Sequence, residues 1–118
     1  MGLRIDRVNQ EIRKKLVEVI QEEVDDPTMG IISILRVETT RDLSLAKVYY
    51  SVYGDKKAIP YAKQVLSKMS GFIRHRLGEK IRLKFLPKLE FFLDDSIEYS
   101  VYIHQKIEEA TRNDPKTD

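Results

Sequence analysis

Two stretches of this 118-residue chain, IISILRVET at 31–39 and LAKVYYSVY at 45–53, are rich in β-branched and aromatic residues, and only TRDLS separates them. Such runs read as strands. The second alternates cleanly, with Ala46, Val48, Tyr50 and Val52 on one face and Lys47, Tyr49, Ser51 and Tyr53 on the other; the first alternates loosely. A short connector of turn-forming residues makes the two an antiparallel hairpin. A hairpin with one apolar face must bury that face against other elements, so the remainder of the chain has to supply helices for one side of a small sheet.

The remainder fits. Ile5, Val8, Ile12, Leu16, Val19 and Val24 recur mostly three or four apart, which predicts an amphipathic first helix ending before Asp25-Asp26-Pro27. Pro60 suits the opening of a second helix, whose stripe of Ala62, Val65, Leu66 and Met69 continues through Ile73, Leu77 and Ile81. Ser70-Gly71 predicts a kink dividing that stretch into two helices. Arg82 and Lys84 alternate with Leu83 and Phe85, Pro87 interrupts, and LEFFLD supplies a third strand with Leu89, Phe91 and Leu93 in register. DSIE at 95–98 reads as a capping box for a terminal helix with Ile97, Val101, His104 and Ile107 on one face. The expected architecture is one α+β domain over residues 1–110, with a three-stranded sheet and a flexible tail at 111–118.

Composition narrows the function. Without cysteine there is no disulfide or thiolate chemistry, and a reducing, cytoplasmic setting is expected. No apolar run approaches the roughly 18 residues of a membrane span. His75 and His104 are the only histidines, fall on different predicted helices and have no evident nucleophile beside them, so no catalytic set is expected. Asp25-Asp26 and Asp94-Asp95 could hold a hard cation, but acids at such positions mark helix termini, and no metal site is assigned. No glycine-rich phosphate loop with its lysine is present.

Charge is unevenly distributed. Residues 63–88 hold eight cations, Lys63, Lys68, Arg74, Arg76, Lys80, Arg82, Lys84 and Lys88, against Glu79 alone, which makes the segment +7. The whole chain is +2, so the rest carries −5. An acidic body with one basic segment suits a polyanionic partner, although a solvated helix face would carry the same charges. The first helix is basic in its first half (Arg4, Arg7, Arg13, Lys14, Lys15) and acidic in its second (Glu18, Glu22, Glu23, Asp25, Asp26), opposite to what the helix dipole favours. Its first turns are either a second contact surface or an accident of composition. Tyr49 and Tyr53 could stack on bases, or simply pack as strand tyrosines do. Gly71 and Gly78 fall opposite the apolar stripe, where glycine admits a kink or the close approach of another backbone.

From about Arg4 to Tyr102 the chain resembles the ribosome-binding factor A family, on DRVNQEI, DDPTMG, TRDLSLAKVYYSVY, SGFIRHRL and LPKLEFFLDDS. The resemblance implies a KH domain of the second type, αββααβ, with a helix-kink-helix in place of the usual GXXG clamp. The family's kink is built on alanine, any residue, glycine; this chain reads Met69-Ser70-Gly71, with methionine where alanine is usual. The resemblance also implies a non-enzymatic, cofactor-free, cytoplasmic monomer linked with growth in the cold. Its implied partners are the small ribosomal subunit and its precursors, through 16S rRNA during late maturation, with assembly GTPases as further candidates. Carried over by matching position, the RNA-binding candidates are Lys68, Gly71, Arg74, His75, Arg76, Lys80, Arg82 and Lys84. The competing reading is an interaction domain whose basic helix docks on an acidic protein.

Overall fold

The computed structural model of the chain describes residues 2–24 and 26–94. The expected DSIE cap, the terminal helix carrying Ile97, Val101, His104 and Ile107, the tail at 111–118, and Asp25 lie outside these residues.

The elements are α1 (Gly2–Glu23), a single 3₁₀ turn (Pro27–Met29), β1 (Ile31–Thr39), β2 (Leu45–Tyr53), α2 (Ala58–Lys80) and β3 (Lys88–Leu93). The sheet has the order β1-β2-β3. β1 and β2 form the expected antiparallel hairpin, with Ile31 opposite Tyr53 and Thr39 opposite Ala46. β3 lies parallel to β2, with Lys88 beside Leu45 and Leu93 beside Tyr50. A parallel neighbour requires a crossover, and α2 is that crossover.

The core lies between the helices and one sheet face. Ala46, Val48, Tyr50 and Val52 of β2 are buried, as their alternation required, together with Ile34, Val37 and Leu89 from the flanking strands. Ile12, Leu16, Val19 and Ile20 of α1 and Ala62, Leu66, Ile73 and Leu77 of α2 close over them. β1 alternates only loosely because it contains a bulge. Ile34 pairs with Tyr50 and Arg36 with Tyr49, leaving Leu35 as the extra residue. The core positions thereby shift from Ile34 to Val37. Arg13 on α1 donates its Nε–H to the carbonyls of both Ile34 (3.1 Å) and Leu35 (3.2 Å), satisfying backbone at the bulge.

One expectation needs correction at the level of elements. α2 runs as a single helix through Ser70-Gly71, so the two predicted helices are one. Leu66, Ile73 and Leu77 are fully buried on either side of Gly71. An interior glycine costs about 1 kcal/mol, whereas each such buried side chain is worth roughly 1.5–3 kcal/mol, so the apolar stripe outweighs the breaker. Nor does Leu83/Phe85 alternation make a strand: β3 begins only at Lys88, and 81–87 is a connecting loop.

Two junctions hold the helices to the sheet. Asp26 caps the 3₁₀ turn by accepting from the Thr28 amide at 2.9 Å, and its other oxygen accepts from the Tyr61 hydroxyl of α2 at 2.9 Å. The Thr28 amide and then Tyr61 hold its carboxyl below the ordinary value of 3.8. Gly30 follows at φ +70, and a β-carbon there would come within 2.5 Å of the Tyr53 carbonyl oxygen. In the TRDLS loop, Asp42 accepts from Thr40 and Ser44, while Thr39 donates its amide and hydroxyl to Asn9 on α1 (3.0 and 2.8 Å).

Gly30→Ala should therefore destabilise by at least the roughly 1–3 kcal/mol typical of a strained backbone, measured by urea unfolding. Asp26→Ala should lower the melting temperature near neutral pH. Because the folded carboxyl titrates below its unfolded value, its contribution is fully present above about pH 4 and is lost as pH falls through the depressed folded pKa. The gap in melting temperature between parent and variant should narrow as acid is added below about pH 4.

Candidate nucleic-acid interface

The inverted charge of α1 acquires a partner in three dimensions. Its acidic half lies against the last turns of α2: Arg76 Nε donates to Glu23 at 2.8 Å, its guanidinium also meets Glu22 at 3.8 Å, and it pairs with Glu79 one turn on. Lys80 Nζ lies 3.1 Å from Glu22 and 3.4 Å from Glu18. These carboxylates, Glu23 foremost for Arg76 and Glu22 for Lys80, raise the pKa of both cations.

The basic half of α1 borders a different surface. Arg7, Val8, Glu11 and Lys15 face Lys80, Ile81, Arg82 and Leu83 across an open groove, four cations against one carboxylate. An adjoining cleft that shares Val8 extends to Arg4 and, from the hairpin loop, Arg41. The first turns of α1 and the end of α2 thus contribute to one cationic strip.

The eight candidates separate by environment. Lys68, Gly71 and His75 are exposed on α2, and Arg82 and Lys84 are exposed in the loop after it. A β-carbon at Gly71 would meet nothing within 4 Å, so that surface is open to an approaching molecule. His75 Nε2 lies 3.5 Å from Glu79. Arg76 and Lys80 are held by α1 carboxylates. Arg74 is a clamp: its guanidinium donates to the carbonyls of Pro87 (3.0 Å) and Leu86 (2.6 Å), pinning the loop onto α2. Gly78 belongs to the same contact, since a β-carbon there would stand 3.0 Å from Leu86 Cδ2. The two glycines therefore differ: Gly78 makes room for the protein's own loop, and Gly71 faces open space.

Tyr49 and Tyr53 lie on the sheet face turned away from the helices. The Tyr49 ring stacks on Phe92 with centroids 5.5 Å apart, and the Arg36 guanidinium covers it at 3.9 Å. This row is separate from the cationic strip. Sequence reading had marked Arg7 and Lys15 as basic without joining them to Arg82. The cross-helix pairing was missed, although Glu18/Glu22 and Arg76/Lys80 share the i,i+4 spacing that sets complementary ladders on facing helices.

Comparison with known proteins bears on this arrangement. The Ribosome-binding factor A family matches residues 4–107. A ribosome-binding factor A from Staphylococcus carnosus is 40% identical over 112 residues, 95% of this chain and 97% of that protein. One from Nitrosomonas eutropha is 39% identical over 88% of this chain and 89% of its own length. Among solved structures, a ribosome-binding factor A from Thermus thermophilus superimposes with a TM-score of 0.67 at 24% identity, covering 75% of this chain and 94% of that one, a likeness of fold. A Thermotoga maritima protein described as a putative ribosome binding factor A gives 0.64 at 27%, covering 78% and 88%. A homology model of the Thermus thermophilus factor, fitted into a cryo-electron-microscopy map of its complex with the 30S subunit, gives 0.62 at 25%, covering 71% and 88%. With a family match over most of its length, curated relatives near 40% identity and the α+β fold of the solved members, this chain belongs to the ribosome-binding factor A family.

Proposed function

We propose that this protein is a non-enzymatic assembly factor that binds the small ribosomal subunit through 16S rRNA and serves its late maturation and rRNA processing. The observation that carries the reading is the groove that brings Arg7, Lys15, Lys80 and Arg82 together with Glu11 as its one carboxylate, while Lys84 is exposed on the loop after α2 and Lys68, His75 and the open backbone of Gly71 are exposed on α2. Arg7, Arg82, Lys84 and Lys68 have no carboxylate partner among the described residues, so they meet a phosphate without first giving one up. The relative fitted into a 30S complex supports the same assignment. On this reading the protein acts as a cytoplasmic, cofactor-free monomer.

Phosphate contacts are counted by counterion release. Three to five phosphate contacts give a slope of log affinity against log salt of about −2 to −4. The protein should co-sediment with free small subunits more than with large subunits, and lose that association as salt rises. Arg82→Glu with Lys84→Glu, and separately Arg7→Glu with Lys15→Glu, should each weaken binding about tenfold or more and flatten the slope. Equal association with every particle would mark charge attraction without specificity, and a flat salt dependence would overturn the phosphate contacts.

Gly71 supplies a second measurement. Gly71→Ala fills open space within a helix and should raise stability by about 0.5–1 kcal/mol. If RNA approaches the backbone there, the same variant binds more weakly despite being more stable, a divergence that thermal melts and filter binding would reveal.

A further inference from the structure

The +7 segment is not uniformly available, and the residues that restrict it come from another element. Glu18, Glu22 and Glu23 stand along one side of α1 and face Arg76 and Lys80 on α2. Lys80 sits on the boundary. It lines the groove together with Arg7, Lys15 and Arg82, yet its ammonium is held by Glu18 and Glu22. Glu18 is shared, since Lys15 Nζ lies 3.8 Å from it. On one side of this boundary Arg7 and Arg82 have no carboxylate partner among the described residues and Lys15 meets only Glu18; on the other, Arg76 and Lys80 are matched by carboxylates of α1.

We propose that Glu18, Glu22 and Glu23 are specificity-determining residues that end the polyanion footprint, withholding Arg76 and Lys80 from phosphate and confining contact to the groove cations Arg7, Lys15 and Arg82 and to Lys84 on the loop after α2. The inference rests on the RNA-contact reading above and deepens it. Two physical effects act together. The carboxylates are tethered to the same fold, so a phosphate must displace an intramolecular competitor already in place. Their negative charge also repels any phosphate that follows the strip past Lys80, and like-charge juxtaposition of this kind suppresses wrong registers. The ligand selected is a phosphodiester strand whose close contacts stop at Lys80. The inverted charge order of α1 follows directly: its basic half lines the strip and its acidic half closes it.

The test uses the whole chain and a short labelled single-stranded RNA, with affinity measured across a salt series and folding checked by thermal melts. Glu18→Gln with Glu22→Gln should bind more tightly at low salt. The slope should steepen by about 0.7–0.9, the contribution of one released cation, Lys80, since Arg76 keeps Glu23. Arg76→Gln with Lys80→Gln should leave the parent slope unchanged. Should the double glutamine variant fold poorly, Glu22→Gln alone removes the shorter of the two Lys80 pairs and should steepen the slope in the same direction by less. The inference is overturned if the glutamate variants keep the parent slope, or if the Arg76/Lys80 variant flattens it, since those cations would then already touch phosphate. Failure of the parent itself to bind RNA with any salt dependence would instead remove the RNA-contact reading on which the inference stands.

Discussion

The inner face of β2 is the surface around which the molecule is arranged. β2 is the central strand, hydrogen-bonded to β1 on one side and β3 on the other. Its inward residues Ala46, Val48, Tyr50 and Val52 are all buried. Their alternation demands a cover, α1 and α2 provide it, and α2 can do so only by crossing over the sheet to deliver β3 in parallel. The placement of the last turns of α2 beside α1, and hence the groove between them, follows from that packing. The charged surface is a product of how the apolar one is closed.

Several of the stretches on which the resemblance to the family rests have structural tasks in this chain. Asn9 of DRVNQEI accepts from both the amide and the hydroxyl of Thr39. Asp26 and Gly30 of DDPTMG form a cap and a positive-φ turn pressed against Tyr53. Asp42 of TRDLS gathers Thr40 and Ser44 within the hairpin loop. Arg74 of SGFIRHRL clamps Leu86 and Pro87, where the LPKLEFFLDDS stretch begins.

What could be read in the sequence was what depends on near neighbours. The hairpin strands are bounded where alternation and turn chemistry placed them, 31–39 and 45–53, because period and turn residues act locally. The bulge at Leu35 appeared only as loose alternation, since the compensating Arg13 lies twenty-two residues away in the chain. Ser70-Gly71 suggested a break because propensity is local, while the burial that keeps α2 intact is tertiary. For the candidate site, basicity was visible but availability was not. Whether Arg76 or Lys80 meets solvent or a carboxylate is decided by Glu18, Glu22 and Glu23, more than fifty residues earlier. Gly71 and Gly78, which helical phase set opposite the apolar stripe, both lie at the surface.

The Arg74 clamp has a consequence for how a cation can serve a binding surface without touching the ligand. The loop after α2 is fixed at one end by the Ile81 amide on the Leu77 carbonyl and at the other by Arg74 on Leu86 and Pro87. Arg82 and Lys84 sit between two anchored ends, so much of their backbone entropy is surrendered at folding and little remains to be lost when a partner arrives. Holding two carbonyls at once draws on the planar fork of a guanidinium, a geometry that the single ammonium of lysine does not reproduce. At this position the shape of the cation matters more than its sign.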